Sequence, residues 1–377
     1  MKILFVEENK KHIILNILGI KIKLKKNCST NKIAIKKFIE HNIAPNTILL
    51  IEINDHHQET LMGYYKYLNE LNYNVEIITN SLADNPFYNN YNNLKVWYFS
   101  KDEILKLFVY YNFDKYKRII FNSKLIYGKK GTSTDIFNFL SKVPKGQKEN
   151  IYVQHHIDKI NDDNSKQIIL ANPAHNKDLS KLVVNPHYFG EVAITPKSNL
   201  TTFISIGELN PIRRNSSVLI DALQKLVDKG IVNFKVTIVG SGKLKNLPKI
   251  IRPYINIKGR LSFQDMYKEL ENADFFLPLL DPDITSHKRY MDSGTSGSFQ
   301  LIYGFLKPCI IHKTFADIYN FNNDNSIVYE KNSEFSHKLE QAINLSNRDY
   351  LYLQNNLKEA VKKIHNISIA NFEEILQ

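Results

Sequence analysis

Two successive series of apolar segments predict an α/β protein with two doubly wound domains that face a central cleft. Each series alternates short apolar runs of strand length with segments of helical periodicity, the pattern of parallel sheets covered by helices. A polar, loop-like stretch at residues 194–199 separates the series, so the predicted domains are 1–198 and 199–377. Ligands bind outside the carboxyl ends of the strands in such sheets, and we expect functional residues there.

The first domain is predicted from a continuous apolar run, TILLIEI at residues 47–53, which is typical of a strand buried on both faces. A helical segment at 61–71 and an apolar segment at 75–78 complete a βαβ unit. Further strands are predicted at 95–99, 118–121, 151–154 and 181–184, and further helices at 101–110 and 134–140.

The second domain repeats this alternation after residue 199. Strands are predicted at 202–206, 234–239, 255–258, 275–279 and 308–311, and helices at 216–229, at 263–272, from 297 and from about 333. The two halves would then be Rossmann-like domains of similar size. A return of the last helices to the first domain is compatible with the sequence.

The first 26 residues are rich in lysine, with Lys10, Lys11, Lys21, Lys23, Lys25 and Lys26 set among apolar residues. Residues 19–25 alternate strictly, which predicts a strand with one apolar and one cationic face. Such a ribbon suits an anionic membrane surface. The alternative is an amphipathic edge hairpin that its lysines protect from aggregation.

Charge favours anionic partners without choosing among them. The 377 residues include 50 Lys and Arg against 38 Asp and Glu, a net charge of +12. A lysine-rich surface without any specific partner is an equal alternative. The basic residues form no long cluster and no nucleic-acid module is recognisable, so no nucleic-acid partner is expected.

Cysteine usage and hydropathy indicate the cellular compartment. Cys28 and Cys309 lie far apart, which excludes a disulfide scaffold and a cysteine zinc site and fits a reducing compartment. No run of 18 apolar residues occurs, and Glu7 and Glu8 interrupt the opening segment. We therefore expect a cytoplasmic protein, with the inner membrane face as a possible location.

Three turns of the second domain carry residues suited to an anion. They contain Gly207, Arg213 and Arg214; then Gly240 and Gly242; then Ser293, Gly294, Thr295, Ser296, Gly297 and Ser298 at the start of a helix. Small residues at a helix start let backbone N–H groups approach an anion, and the helix dipole favours negative charge there. Each glycine turn alone more often serves the backbone. Together they predict a nucleoside-diphosphate site.

These turns also carry a family resemblance. The segments FISIGELNPIRRNSSVLIDAL, VTIVGSGK, INIKGRLSFQDMYKELENADFFLPL and GFLKPCII, within residues 202–345, resemble the donor-binding domain of GT-B glycosyltransferases, especially the retaining family 4 type. The resemblance implies the GT-B fold and a nucleotide-sugar donor. It also implies transfer to a glycan or lipid-linked saccharide acceptor, as in polysaccharide or lipopolysaccharide biosynthesis.

The sequence departs from that family at the donor site. The family's two glutamates fall on Ser293 and Leu301, and its first arginine falls on Glu208, which leaves Arg214 as the retained cation. These departures leave the sugar and the retaining or inverting outcome open. They also favour a second hypothesis, a catalytically decayed protein of the same fold that binds a nucleotide sugar.

The first domain is expected to supply the acceptor side. His57 and Glu59 follow the predicted strand at 47–53, a position suited to holding or deprotonating a hydroxyl. The segment IYVQHHIDK resembles the family's strand that ends in a histidine facing the sugar, and His156 is the matching residue. We therefore predict His57, Glu59 and His156 as catalytic residues. For the adjacent histidines 56–57 and 155–156, a capping or loop role is the alternative. His187 is more simply a packed turn residue.

No metal or other cofactor is expected. Asp281 and Asp283 have the spacing of a divalent-ion motif, but they follow a strand in the donor-type domain. The resemblance implies a leaving diphosphate stabilised by helix N–H groups and cationic side chains.

Overall fold

The computed structural model describes residues 4–8, 12–17, 20–25, 29–80, 85–91, 94–128, 132–141, 150–155, 165–170, 182–210, 212–244 and 247–377. The chain begins with an antiparallel three-stranded sheet of β1 (Leu4–Glu8), β2 (His12–Ile17) and β3 (Ile20–Lys25). The predicted alternating strand is β3. Lys10, Lys11, Lys26 and Cys28 lie outside the described residues, and the cationic face of this segment stays a prediction.

The first large sheet is parallel throughout, in the order β11-β10-β7-β4-β5-β6. Its part of the chain contains α1 (Ser29–Glu40), β4 (Thr47–Glu52), α2 (Leu61–Glu70), β5 (Asn74–Thr79), β6 (Lys95–Tyr98), α3 (Lys101–Tyr110), β7 (Arg118–Phe121), β8 (Leu125–Tyr127), β9 (Ser133–Asp135), α4 (Ile136–Leu140), β10 (Ile151–Gln154) and β11 (Lys166–Ile169). Strands β8 and β9 form a small antiparallel hairpin beside this sheet.

Strand β4 lies at the centre of the first domain. Ile48 and Leu50 pack in one hydrophobic core with α2, whereas Leu49 and Ile51 pack in another with α1 and α3. All four side chains are fully buried. A strand covered by helices on both faces has no solvent side, which explains the uninterrupted apolar run.

The second domain holds two parallel sheets, β14-β13-β12-β15 and β16-β17, joined by a single parallel bridge between Phe276 and Cys309. In chain order its elements are β12 (Thr201–Ile206), α5 (Ser216–Asp228), β13 (Phe234–Val239), β14 (Ile255–Gly259), α6 (Phe263–Glu271), β15 (Phe275–Phe276), α7 (Arg289–Asp292), α8 (Gly297–Phe305), β16 (Ile310–His312), α9 (Lys313–Ile318), β17 (Ile327–Tyr329), α10 (Phe335–Asn344) and α11 (Asn347–Leu376). The expected α/β class with two Rossmann-like units is confirmed.

Three predicted elements differ from the structure. Segment 181–184 is not a strand where it is described: Val183 makes one bridge to Ile169, and β11 takes the sheet edge instead. The predicted helix at 134–140 begins later, because residues 133–135 pair in the hairpin and Asp135 caps α4. The strand predicted at 275–279 pairs for two residues only, and Leu279 adopts φ 52°.

Helix α11 packs in a hydrophobic core of each domain. Tyr350 near its start packs in the second domain, whereas Phe372 and Leu376 pack in the core around β4. Asn371 Nδ2 donates to Val183 O at 2.8 Å, and Ser368 Oγ accepts from Asn185 N at 3.0 Å. The predicted boundary at residues 198 and 199 falls in the segment before β12 that is neither helix nor strand, and it stays a prediction. No helix among the described residues is long and apolar enough to cross a bilayer.

Candidate active site

A cavity of about 460 Å³ is lined by residues from both domains. The first domain contributes segments that follow β4 and β10, including His57, Glu59 and His155. The second domain contributes Gly207, after β12, and Arg214. It also contributes four predicted residues at the start of α8, namely Thr295, Ser296, Gly297 and Ser298.

The Arg214 side chain packs against the backbone of Gly207. Gly207 has φ 141°, and a Cβ added there would lie 2.7 Å from Arg214 Nη2, so both conformation and space require glycine. The guanidinium is 7 % exposed and donates to Ile206 O at 3.0 Å, Ser298 Oγ at 2.8 Å and Arg213 O at 2.7 Å. Its buried Nε has no hydrogen-bond partner among the described residues.

The charge of Arg214 persists in this environment. Burial lowers the pKa of Arg214, while Tyr290 opposes that shift. An arginine pKa lies so far above neutrality that the guanidinium remains cationic. The cavity lining therefore includes a buried positive charge, and such a group favours an anionic ligand.

Helix α8 presents its N-terminus to the same cavity. Ser296 is the N-cap residue, and its hydroxyl accepts from Ser298 N at 3.4 Å. The first N–H groups of a helix have no intrahelical acceptor, and the helix dipole places partial positive charge there. Gly297 has nothing within 4 Å of an added Cβ, so its backbone faces open space. This geometry suits phosphate oxygens.

The other predicted donor residues lie outside the cavity lining. Arg213 is exposed, and neither Ser293 nor Gly294 lines the cavity. A Cβ on Gly240 would overlap Gly207 O, and Gly242 bridges to Leu209 with φ 99°. These two glycines allow the turns after β12 and β13 to approach each other closely. A direct donor role for any of these residues stays a prediction.

From the first domain, His57 and Glu59 line the same cavity as an acid–base pair, with His57 Nδ1 3.7 Å from Glu59 Oε1. His57 adopts φ 69°, in the left-handed region that a histidine rarely occupies. Burial lowers the pKa of His57, but the hydrogen bonding and charge of Glu59 and the charge of Glu52 outweigh it, so the pKa is raised. Burial raises the pKa of Glu59, and His57 outweighs burial and lowers it.

The structure also places His155 against His57, with ring centroids 4.1 Å apart. His155 Nε2 lies 2.7 Å from Asn122 O and therefore carries the hydrogen of that bond. The sequence resemblance predicts a role for the neighbouring His156, which lies outside the described residues. His56 pairs with Asp55 at 3.2 Å, and burial lowers its pKa.

Sequence reasoning missed several residues of the lining. They include Phe263 and Met266 of α6, Arg289 and Tyr290 of α7, and Gln300 of α8. Leu301, which the sequence resemblance aligns with one of that family's two glutamates, also lines the cavity. Only the family comparison singled out residue 301, and no motif marks the others.

Two further candidates from the sequence have structural partners. The Asp281 carboxylate accepts from Asn215 Nδ2 at 2.6 Å, Asn332 Nδ2 at 2.7 Å and Asp283 N at 2.9 Å, so it organises a turn. His187 is 6 % exposed and bonds to Asn185 O, and burial lowers its pKa to about 4. Within the described part of the chain, no three His, Cys, Asp or Glu residues are grouped to hold a metal.

Comparison with known proteins shows the fold. No protein-family model and no curated protein sequence matches the chain. A glycosyltransferase from Rickettsia africae is 13 % identical, with a TM-score of 0.53, and the match covers 89 % of this chain and 98 % of that one. The sucrose-phosphate synthase of Thermosynechococcus elongatus is 10 % identical, with a TM-score of 0.50 and coverage of 87 % and 97 %. The chain thus shares a two-domain Rossmann-like fold with solved glycosyltransferase structures.

Proposed function

We propose that the protein is a glycosyltransferase that moves a sugar from a nucleotide-sugar donor to a hydroxyl of a glycan or lipid-linked saccharide acceptor. One observation carries this proposal. A single cavity is lined by the N-terminus of α8 and the buried Arg214 from the second domain, and by the His57–Glu59 pair from the first. Phosphate-binding groups thus share one cavity with acid–base groups, a combination that sugar transfer from a nucleoside diphosphate requires.

The second domain is proposed to bind the donor. During transfer, the bond from the anomeric carbon to the diphosphate oxygen breaks, and negative charge develops on that oxygen. Backbone N–H groups at residues 296 and 297 and the Arg214 guanidinium are fixed before the reaction, so they can stabilise this charge without reorganising. We propose that this stabilisation replaces a metal ion.

The first domain is proposed to bind the acceptor. The acceptor oxygen forms a bond to the anomeric carbon and loses its proton, which the His57–Glu59 pair holds or takes. The raised pKa of His57 makes its imidazole a stronger base. His156 stays in the proposal as a residue facing the sugar, on the strength of the sequence resemblance alone.

The cellular location is proposed from the charge of the chain. The net charge of +12 and the lysines of the first 26 residues favour an anionic surface. We propose a cytoplasmic protein that associates with the inner membrane face, where lipid-linked saccharides are accessible. Sedimentation with liposomes tests this location, because binding should increase with the content of anionic lipid. Binding that does not depend on the anionic lipid content contradicts the proposed location.

Thermal-shift screening against UDP-, GDP-, CMP- and dTDP-sugars, with and without EDTA, tests the donor part. We expect one nucleotide class to raise the melting temperature equally in both conditions. The matched variants are Arg214→Ala, which should reduce the shift, and Arg348→Ala, which should retain it because Arg348 is exposed and does not line the cavity. No shift with any nucleotide sugar contradicts the proposal.

A second candidate function is nucleotide-sugar binding without transfer. It is favoured by the lining itself, since Leu301 presents an apolar side chain at a position where the related enzymes carry a glutamate. Donor binding with no release of nucleoside diphosphate, during long incubation with a panel of saccharide acceptors, would support this candidate over the transferase.

A further inference from the structure

A buried glutamate lies directly behind the His57 loop. Glu52 is the last residue of β4, and its side chain is fully buried. Its Oε1 accepts from Asn54 N at 2.8 Å and from Asn54 Nδ2 at 3.1 Å. Its Oε2 accepts from Asn122 Nδ2 at 2.8 Å and from Ser123 Oγ at 2.7 Å. Four donors on two oxygens suit a carboxylate, because they leave no acceptor for a carboxyl hydrogen.

Asn122 connects this carboxylate to both histidine-bearing loops. The same Nδ2 group that donates to Glu52 also donates to His57 O at 2.8 Å. The Asn122 side-chain oxygen accepts from Thr60 Oγ1 at 2.9 Å. The Asn122 backbone oxygen accepts from His155 Nε2 at 2.7 Å. The ends of β4, β7 and β10 are therefore held together around Glu52.

This network surrounds a strained backbone conformation at His57. A non-glycine residue in a sparsely populated φ region costs about 1–3 kcal/mol and persists only where surrounding contacts impose it. His57 has φ 69°, and its carbonyl accepts from Asn122 Nδ2 and from Thr60 N. Loss of the carboxylate would release Asn122 from one of its acceptors and loosen this loop.

We propose that Glu52 is a positioning residue for the His57–Glu59 pair, fixing the His57 and His155 loops through Asn122 and favouring the protonated imidazole by its buried charge. Only the use of His57 in sugar transfer rests on the proposed function above. Burial raises the pKa of Glu52, while His57, Ser123, Asn54 and Asn122 oppose that shift.

Other charged groups also face His57. Glu59 favours its protonation from the same loop. The rings of His56 and His155 lie 4.6 and 4.1 Å away, and a charge on either would oppose protonation. Arg214 and Arg289 line the same cavity from the second domain, and their positive charges would also oppose protonation of His57. Glu52 is the acidic group that the first domain places behind the loop, at the end of β4.

Histidine NMR titration of the full-length protein tests the proposal without any substrate. In Glu52→Gln we expect the His57 pKa to fall and the His155 resonances to move. The matched control is Glu76→Gln, since Glu76 is also a buried carboxylate and accepts from His41 Nε2 at 2.9 Å. It should alter His41 and leave His57 unchanged. A folded Glu52→Gln protein with wild-type His57 and His155 titrations overturns the proposal.

A milder variant keeps the test decisive if Glu52→Gln does not fold. Ser123→Ala removes one donor to Glu52 and the hydroxyl that lies 3.5 Å from His155 Nε2. With fewer donors the carboxylate is less stable, so the His57 pKa should fall by a smaller amount than in Glu52→Gln, and the His155 resonances should move. Unchanged titrations of both histidines in Ser123→Ala overturn the proposal as well.

Activity then separates this inference from the function. If the protein transfers sugar, Glu52→Gln should lower kcat roughly 10–100-fold with little change in the donor KM, because misplacement of a reacting group costs turnover. The part of the pH dependence of kcat that reports the titration of His57 should move to lower pH. An active enzyme with an unchanged profile contradicts the inference alone, whereas a complete lack of transfer contradicts only the proposed function.

Discussion

Arg214 Nη2 donates a hydrogen bond to Ser298 Oγ at 2.8 Å and so connects the turn after β12 to the first turn of α8. The bond places the guanidinium beside the helix N-terminus, where two sources of positive potential act on the same space. Because Ser298 is 3 % exposed and Arg214 is 7 % exposed, water competes little for this contact. Donor binding is expected to depend on it.

Removal of the Arg214 side chain should weaken donor binding. A hydrogen bond to a charged group contributes about 1.5–3 kcal/mol, so Arg214→Ala should raise the donor Kd roughly 10–100-fold. Calorimetric titration measures the change. Arg348→Ala is the control, because that side chain is exposed and does not line the cavity, so the variant should leave the Kd unaltered. Equal affinity in both variants would show that the guanidinium does not contact the donor.

Gly207→Ala should impair both stability and binding. The strained φ of 141° costs about 1–3 kcal/mol for a residue with a Cβ, and the new methyl group would displace Arg214 Nη2. Gly259→Ala is a matched control with φ 69° and nothing within 4 Å of the added Cβ. Thermal unfolding should show a loss in both variants, whereas weakened donor binding should occur only in Gly207→Ala. Normal donor affinity in Gly207→Ala contradicts the packing argument.

The His57–Glu59 pair should stabilise the fold in an acidic pH window. His57 has a raised pKa, so its contribution is full below its unfolded value of 6.5 and is lost as pH rises through the folded pKa. Glu59 has a lowered pKa, so its contribution is full above its unfolded value of 4.5 and is lost as pH falls through the folded pKa.

The difference in melting temperature between wild type and His57→Asn should therefore be largest between pH 4.5 and 6.5. It should shrink at pH 9 or above, roughly two units beyond an ordinary histidine pKa. His337→Asn, at an exposed histidine, provides the control and should show no such dependence. A constant difference across the whole range would mean that the pair is not charged in the folded protein.

His187 should make the fold sensitive to acid. Its pKa of about 4 lies below the ordinary 6.5, so the folded protein keeps the neutral form, and stability is lost as pH falls from 6.5 toward 4. The expected loss is on the order of 3 kcal/mol. In His187→Gln this part of the pH dependence should be missing when unfolding is followed from pH 7 to pH 4. An identical slope in the variant would place the acid sensitivity elsewhere.

Local patterns predicted the central strands and the glycine turns because each depends on short-range properties. The run around Leu50 required burial on both faces, and Gly207 and Gly240 occupy turns where a Cβ does not fit. Glu52 is the charged residue inside that apolar run, and the strand pattern alone does not show that it belongs to a buried polar network. A charge in a strand covered on both faces needs partners from other segments.

The cavity lining depended on contacts that no local pattern contains. The register that places His155 against His57 is set by packing with neighbouring strands. Arg289 lies on the four-residue helix α7, which has no periodicity to read from sequence. The edge strand β11 was missed for a related reason, since four residues are too few to show a reliable period.

The most direct measurement is a crystal structure with the nucleoside diphosphate whose sugar conjugate gives the largest thermal shift. We expect phosphate oxygens within hydrogen-bond distance of the backbone N–H groups of residues 296 and 297 and of the Arg214 side chain, with the sugar position open toward His57. A diphosphate bound away from the start of α8, or an Arg214 side chain turned away from it, would contradict the proposed donor site.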